Sequence, residues 1–597
     1  HHDPERSGAD PETAPAEPPS LAWQSADLGA PIWSQPLVLG QRVYVATVGD
    51  ELYALNAATG AVEWAQSAGT PVPAGELECG DIQPTVGIVG TPVIDLSTHA
   101  IYAVADTWNG GEAEHLLEGF DLQTGARVLS TPVDPPEARP RDLLERTGLN
   151  LDGGRIVFGM GGNDGDCGEY RGTVVAAPED GGAPRFWQVP IKAPALWGGA
   201  VWAPSGPAVD EEGQVYATSG NPDPPEGEEV SEYDYSDSVI ELDLADFTAN
   251  PLSEQGAPLG WFEPPTWRQE GNNDLDLSSA GPELLPGGLL FQAGKDGVGY
   301  LIDEAAMEGG APAVYSHEVC GGHGSFGGDA YASGVIYIPC TNGVQALAYN
   351  ESARTFTPLW QGPADALGPP ILSGGLVWSI ATGGFKGGGQ TLYGLNPETG
   401  AASYVEHLPS PVIDHFASPS AAGGRLFVST GESVTAYRIA ASAGGEPAPT
   451  QQGAAGEGAT ATTSTSPRMA PLGPVSTVAR ASHTPELLRR RLRADRGGRV
   501  AVALRCPAAR GGCHGTLTLV AEIAVGARGG RGARHPAAIA LSRAHFRARA
   551  RGDFTLTLRL SHSAEAHLRR HHGRLAVRVV LATPDAPTSR YPGLLTG

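Results

Sequence analysis

The chain has 597 residues, with 82 Gly, 51 Pro, only three Met and a formal net charge of −28. No apolar run reaches the 18 residues of a membrane-spanning helix, and the abundance of Gly and Pro argues for many short strands joined by tight turns. The charge is divided between two bodies: from Arg468 onward 23 Arg stand against six acidic residues, a net +17, whereas 16 basic and 61 acidic residues before it give −45.

Residues 1–20 are rich in Pro, Glu and Ala, the composition of a disordered segment. They show no basic region followed by an apolar stretch, so a secretory signal is absent or already removed. From residue 21 a different grammar begins. VYVAT (43–47) and LYALN (52–56) alternate apolar and small or polar residues with the period of a strand. NAATG (56–60) then supplies turn chemistry, because Asn and Gly accept left-handed backbone and Thr bonds local backbone. The unit recurs as IYAVADT (101–107), RIVFGMGG (155–162), QVYATSGN (214–221), LLFQAGKDGVGYLIDE (289–304), VIYIPCTNGVQALAY (335–349), LVWSIATGG (376–384) and RLFVSTGESVTAYRI (425–439), each leading into or containing a further strand-like run. Small-residue segments such as WSQPLVL and VGTPVID precede most units, as an innermost strand beside a crowded axis requires. The units lie roughly 40 to 70 residues apart, the spacing of propeller blades with insertions. One blade cannot bury both of its faces, but a closed ring of eight can. The reading is therefore an all-β chain: an eight-bladed β-propeller over 21–440, a flexible linker over 441–479, and a small Arg-rich, β-sandwich-like domain over 480–597. A tandem of β-sandwiches is the rival, but it would not repeat TG turns in this register.

The six Cys show no CxxC, CxxCH or zinc-type spacing. Cys506 and Cys513 flank a hairpin-sized gap, and the further pairings expected are Cys320 with Cys340 and Cys79 with Cys167; buried free thiols are the alternative. Disulfides imply an oxidising compartment, extracellular, periplasmic or associated with the cell wall.

The stretch ALNAATGAVEW (54–64) resembles the AxDxxTGxxxW docking motif of pyrroloquinoline quinone (PQQ)-dependent dehydrogenases, with Asn56 in the Asp position and partial copies at DLQTG (121–125) and NPETG (396–400). The resemblance covers roughly residues 22 to 440 and implies that Trp64 staples neighbouring blades. GGAVWAPSGPAVDEEGQVYATSGNPDP (198–224) looks like the family segment that supplies an aromatic floor under the quinone and a calcium-binding Asn, here Trp202 and Asn221. An indole face suits a flat quinone and an amide oxygen suits calcium. NNDLDLSSAGPEL (272–284) resembles the segment bearing the catalytic base, which falls on Asp274, also a metal-ligand candidate, with Asp276 following. AGKDGVGYLID (293–303) matches a segment whose Lys contacts the quinone, here Lys295, one of three lysines in the chain.

The sequence departs from the family at several points. Where the calcium-binding Glu is expected, GDCGEYRGTVVAA (165–177) has Cys167; a shifted register would offer Glu169 or Asp166 instead. The adjacent Cys-Cys pair is absent, and the quinone-binding Arg has no match. With no CxxCH haem motif, electrons would leave to an external acceptor such as a cytochrome. The resemblance thus implies a secreted quinoprotein-like dehydrogenase oxidising an alcohol or polyol with PQQ and calcium. The alternative is a non-catalytic extracellular propeller that scaffolds proteins or binds cell-wall polymer. The basic C-terminal body suits an anionic wall polymer; without an aromatic platform it does not read as a nucleic-acid module.

Overall fold

The computed structural model describes residues 6–10, 15–190, 197–210, 213–223, 232–243, 247, 255, 257–307 and 310–440, and then 486–487, 491–494, 499–506, 513–524, 536–548, 552–560, 574–583 and 586–596. The chain divides into two compact units, His1–Ala448 and Pro449–Gly597.

The first unit is an eight-bladed β-propeller. Each blade is an antiparallel sheet read outward in chain order, as in Leu37–Leu39, Arg42–Ala46, Glu51–Asn56 and Val62–Ser67 of blade one. The innermost strands of the next seven blades are Val93–Asp95, Asn150–Asp152, Ala208–Val209, Glu283–Leu285, Ala330–Ala332, Ile371–Ser373 and Ser420–Ala422. Alternation alone predicts half-buried strands, but the second strand of a blade is buried on both faces. In blade one Val43, Tyr44, Val45 and Ala46 are all buried. The reason is the ring: each sheet has a neighbour on either side, so Tyr44, Leu52 and Trp64 of blade one pack with Ile101, Ala103 and Phe120 of blade two.

The TG turns fasten those contacts. Trp64 donates from Nε1 to the Leu122 carbonyl at 3.3 Å, and its indole lies so close to Gly125 (φ +71°) that a Cβ there would sit 2.8 Å away. Trp23 meets Gly60 and Trp360 meets Gly400 in the same way, with indole donations to Ala57 and Pro397 carbonyls at 3.0 and 2.8 Å. The glycine provides both the left-handed turn and the room for the ring.

The ring is closed by the beginning of the chain. Ser20–Gln24 pairs antiparallel with Ser433–Arg438 as the outermost strand of blade eight. The composition of residues 1–20 predicts no fixed structure, and here the structure differs. Ala9–Asp10 pairs parallel with Leu372–Ser373 on an innermost strand. Arg6 is buried and donates to the carbonyls of Gly148, Leu149 and Pro207. Backbone pairing to an inner strand and carbonyl acceptors for the guanidinium hold this segment without an apolar sequence of its own.

Because the second strand of a blade runs antiparallel to the first, it ends where the first begins. Loops leading into inner strands and loops leaving second strands therefore gather at one end of the ring, its mouth.

In the second unit, the described strands form a three-stranded sheet (Glu486–Leu487, Arg499–Cys506, Gly552–Arg559) and a five-stranded sheet that includes Cys513–Ala524 and Arg574–Thr583. Val500, Val502, Leu504, Leu517, Leu519 and Val579 share one buried cluster. The linker expected at 441–479 lies outside the described residues. No helix among them is long and apolar enough to cross a membrane.

Candidate functional site at the propeller mouth

Blade four contributes Trp202, ahead of its inner strand, and Asn221, just past its second strand Gln214–Ser219. Blade five contributes Asp274 and Asp276 ahead of Glu283–Leu285 and Lys295 past Leu289–Gln292. The structure brings these side chains together. Lys295 Nζ lies 2.5 Å from Asp276 Oδ2, 2.7 Å from Asp274 Oδ1 and 5.7 Å from the centre of the Trp202 ring. The backbone N–H of Asn221 donates to Asp276 Oδ1 at 2.8 Å.

The two aspartates differ in kind. The Asp274 side chain is 68% exposed and its backbone is left-handed at φ 54°, whereas the Asp276 side chain is 6% exposed. Burial raises the Asp276 carboxyl above the ordinary carboxylate range, opposed by the Lys295 ammonium and the Asn221 N–H. Burial would lower Lys295, but Asp276 and Asp274 together hold its ammonium above the usual lysine value. Behind the pair, Asp237 is fully buried and burial drives its carboxyl well up, reinforced by Asp276. Gly220 makes room for this group: a Cβ there would fall 2.4 Å from Asp276 Oδ1. Asp276, not singled out as a base from the sequence, is the buried carboxylate; its signal was the Leu275-Asp276-Leu277 setting, with Leu277 fully in the core.

Glu169 does not join this group. Its side chain is 55% exposed and pairs with Arg139 at 3.3 Å. Asp166, also exposed, accepts from the Tyr170 hydroxyl at 2.5 Å. Desolvation of its carboxyl raises it, and Asp276 and Lys295 are among the charges it feels.

The propeller holds the disulfides Cys79–Cys167, joining the loop into blade two to the loop after the second strand of blade three, and Cys320–Cys340. They fit a periplasmic or extracellular protein. Cys506 is disulfide-bonded; the expected partner, Cys513, has its side chain outside the described residues.

Calcium takes six to eight oxygen ligands. Among the described residues no group of three or more His, Cys, Asp or Glu is placed to hold a metal ion. The Asn221 amide oxygen faces the Asp276 carboxylate, and turning the amide over makes it a donor, which satisfies both groups without a cation. Lys295 already supplies positive charge to Asp276. The residues present do not fit the expected calcium site. They do set a flat aromatic face beside a cation. Trp202 is half-buried, with Phe416 and Phe326 ring centres 5.9 and 6.4 Å away, and the Lys295 ammonium stands over its face.

Residues 16–234 match the family described as outer membrane protein assembly factor BamB. The chain carries a PQQ-like repeat propeller. This PQQ-like propeller resembles a quinohemoprotein alcohol dehydrogenase from Pseudomonas putida HK5, with a TM-score of 0.55 and 16% identity over 75% of this chain and 81% of that one. A quinohemoprotein alcohol dehydrogenase from Comamonas testosteroni gives a TM-score of 0.50 and 16% identity over 72% and 78% of the two chains. At this identity the likeness establishes the fold, and function has to be argued from the site. No curated protein matches the sequence.

Proposed function

We propose that the mouth of the PQQ-like propeller is a quinone-dependent dehydrogenase centre that oxidises an alcohol or polyol, with Asp276 as the proton acceptor. The observation that carries this reading is a buried carboxylate held 2.5 Å from an ammonium beside a half-buried indole, all at one mouth. When bound, the quinone supplies the two-electron acceptor for the substrate's carbinol carbon. Trp202 offers the stacking face and Lys295 a positive charge for a quinone oxygen. Asp276 takes the proton of the substrate hydroxyl, a role that needs an ionised carboxylate within hydrogen-bond reach. Lys295 opposes the rise that burial imposes on that carboxyl, and Asp274 holds Lys295 from the solvent side. Turnover would also require an external electron acceptor such as a cytochrome to reoxidise the quinone.

The test is to titrate the full chain with PQQ, with and without calcium, following tryptophan quenching and melting temperature, and then to measure dye reduction across a panel of alcohols. We expect quenching and a raised melting temperature without a calcium requirement, and turnover that Asp276→Asn abolishes while leaving quinone binding intact. Absence of both quenching and a melting shift would overturn the reading.

The match of residues 16–234 to the family described as outer membrane protein assembly factor BamB supports a second reading. In it the propeller is a non-catalytic extracellular scaffold for proteins, and the basic C-terminal unit engages an anionic wall polymer. Stable binding of such a polymer together with indifference to PQQ is its signature.

A further inference from the structure

A cavity of about 30 Å³ is ringed by the loops that lead into the inner strands of seven blades, with Trp33, Arg146, Ser205, Asp414 and Phe416 among its walls.

Three buried hydrogen-bond donors on the cavity wall have no partner: the indole N–H of Trp33, Nη2 of Arg146 and the hydroxyl of Ser205. Their residues are 9%, 9% and 4% exposed. An unmade bond at such depth is costly for a neutral group and more so for a charged one. Arg146 is also fixed in place, its guanidinium carbon 4.5 Å from the Phe416 ring centre and 5.2 Å from that of Trp33. Its carboxylate neighbour does not use the free donor. Asp414 Oδ1 is 3.7 Å from Nη2, outside hydrogen-bond reach, and accepts instead from the Phe416 N–H at 2.9 Å. His415 adds no charge, since burial, with Arg146 nearby, holds its imidazole neutral at about 2.

The unmet need is for acceptors. A single water presents two lone pairs to three donors, whereas a carboxylate presents about four acceptor sites in a plane and matches a guanidinium edge. The volume admits a group of a few heavy atoms and no more. We propose that this axial cavity is a binding site for a small carboxylate anion of formate size, held by Arg146, Trp33 and Ser205. The site is separate from the quinone reading and stands or falls independently of it.

Thermal unfolding of the full chain at constant ionic strength tests it, with sodium formate exchanged for sodium gluconate, an anion too large to enter. The expected result is a melting temperature that rises with formate and saturates, accompanied by a change in tryptophan fluorescence with the same midpoint. Ser205→Ala and Trp33→Phe each remove one donor and should weaken the apparent affinity about tenfold or more; Arg146→Gln should abolish the response. If Arg146→Gln fails to fold, the two single-donor variants decide. Equal melting in formate and gluconate, or a formate response unchanged in the variants, would show a cavity holding only water and overturn the proposal.

Discussion

At Lys295, one ammonium serves two carboxylates of unequal burial, so its removal is felt unevenly. Lys295→Met strands Asp276 in the interior and should cost about 2–3 kcal/mol, below the range for a fully buried pair because Lys295 keeps some exposure. Asp274→Asn should cost little, since its carboxylate is solvated. Urea unfolding at pH 7 separates the two. Asp50 offers a second prediction. It is completely buried with neither carboxylate oxygen partnered, and burial, reinforced by Asp106, raises its carboxyl to about 9. A folded carboxyl raised above its unfolded value binds its proton more tightly in the native state, so stability falls as pH rises from about 4 towards 9. Asp50→Asn, which mimics the neutral acid, should therefore raise the melting temperature strongly at pH 8, less at pH 5 and hardly at pH 4. The sequence marked Trp202, Asn221 and Lys295 because each stands in a motif, and the structure sets them at one mouth, where Asn221 lacks the metal donors its expected calcium role requires among the described residues. The sequence did not separate Asp276 from Asp274, because two acids two residues apart look alike until a left-handed turn at Asp274 sends one outward and the other in. Glu169 misled for the reverse reason: Arg139, distant in sequence, draws it to the surface.

Among elements, the tryptophan staple carries a clear expectation. Trp64→Ala removes a buried indole and its bond to Leu122 and should destabilise the propeller by about 3–4 kcal/mol. Gly125→Ala attacks the same contact from the other side, through left-handed strain and collision with the ring, at about 2 kcal/mol or more. If the two act through one contact, the double variant should cost clearly less than the sum, a comparison that denaturant titration can make. The disulfides differ by the length of chain they close. Cys79–Cys167 spans 88 residues and Cys320–Cys340 spans 20. On chain-entropy grounds their loss should cost about 4–5 and about 3 kcal/mol respectively. Serine variants under non-reducing conditions would show that order. The eight blades were readable because each repeats its strand period and turn residues. The double-sided burial of the second strands was not, because a two-residue period describes a sheet with one wet face and says nothing of a neighbour on the other side.

The whole molecule joins an acidic propeller to a chain end rich in Arg, and the propeller itself is closed by Ser20–Gln24. Deleting residues 1–24 removes that strand, Trp23 and Arg6, and should abolish a single cooperative melting transition. Deleting residues 1–10 alone should only lower the melting temperature by several degrees, since blade eight keeps four strands. Scanning calorimetry of both truncations checks this. The pairing of Ser20–Gln24 with Ser433–Arg438 also has a consequence for biosynthesis. More than 400 residues must emerge before Ser20–Gln24 meets its mate, and until then each presents an unsatisfied edge that any similar chain can template. Two nascent copies could then trade these closing strands, completing one another's last blade and forming an intertwined dimer that only global unfolding would separate.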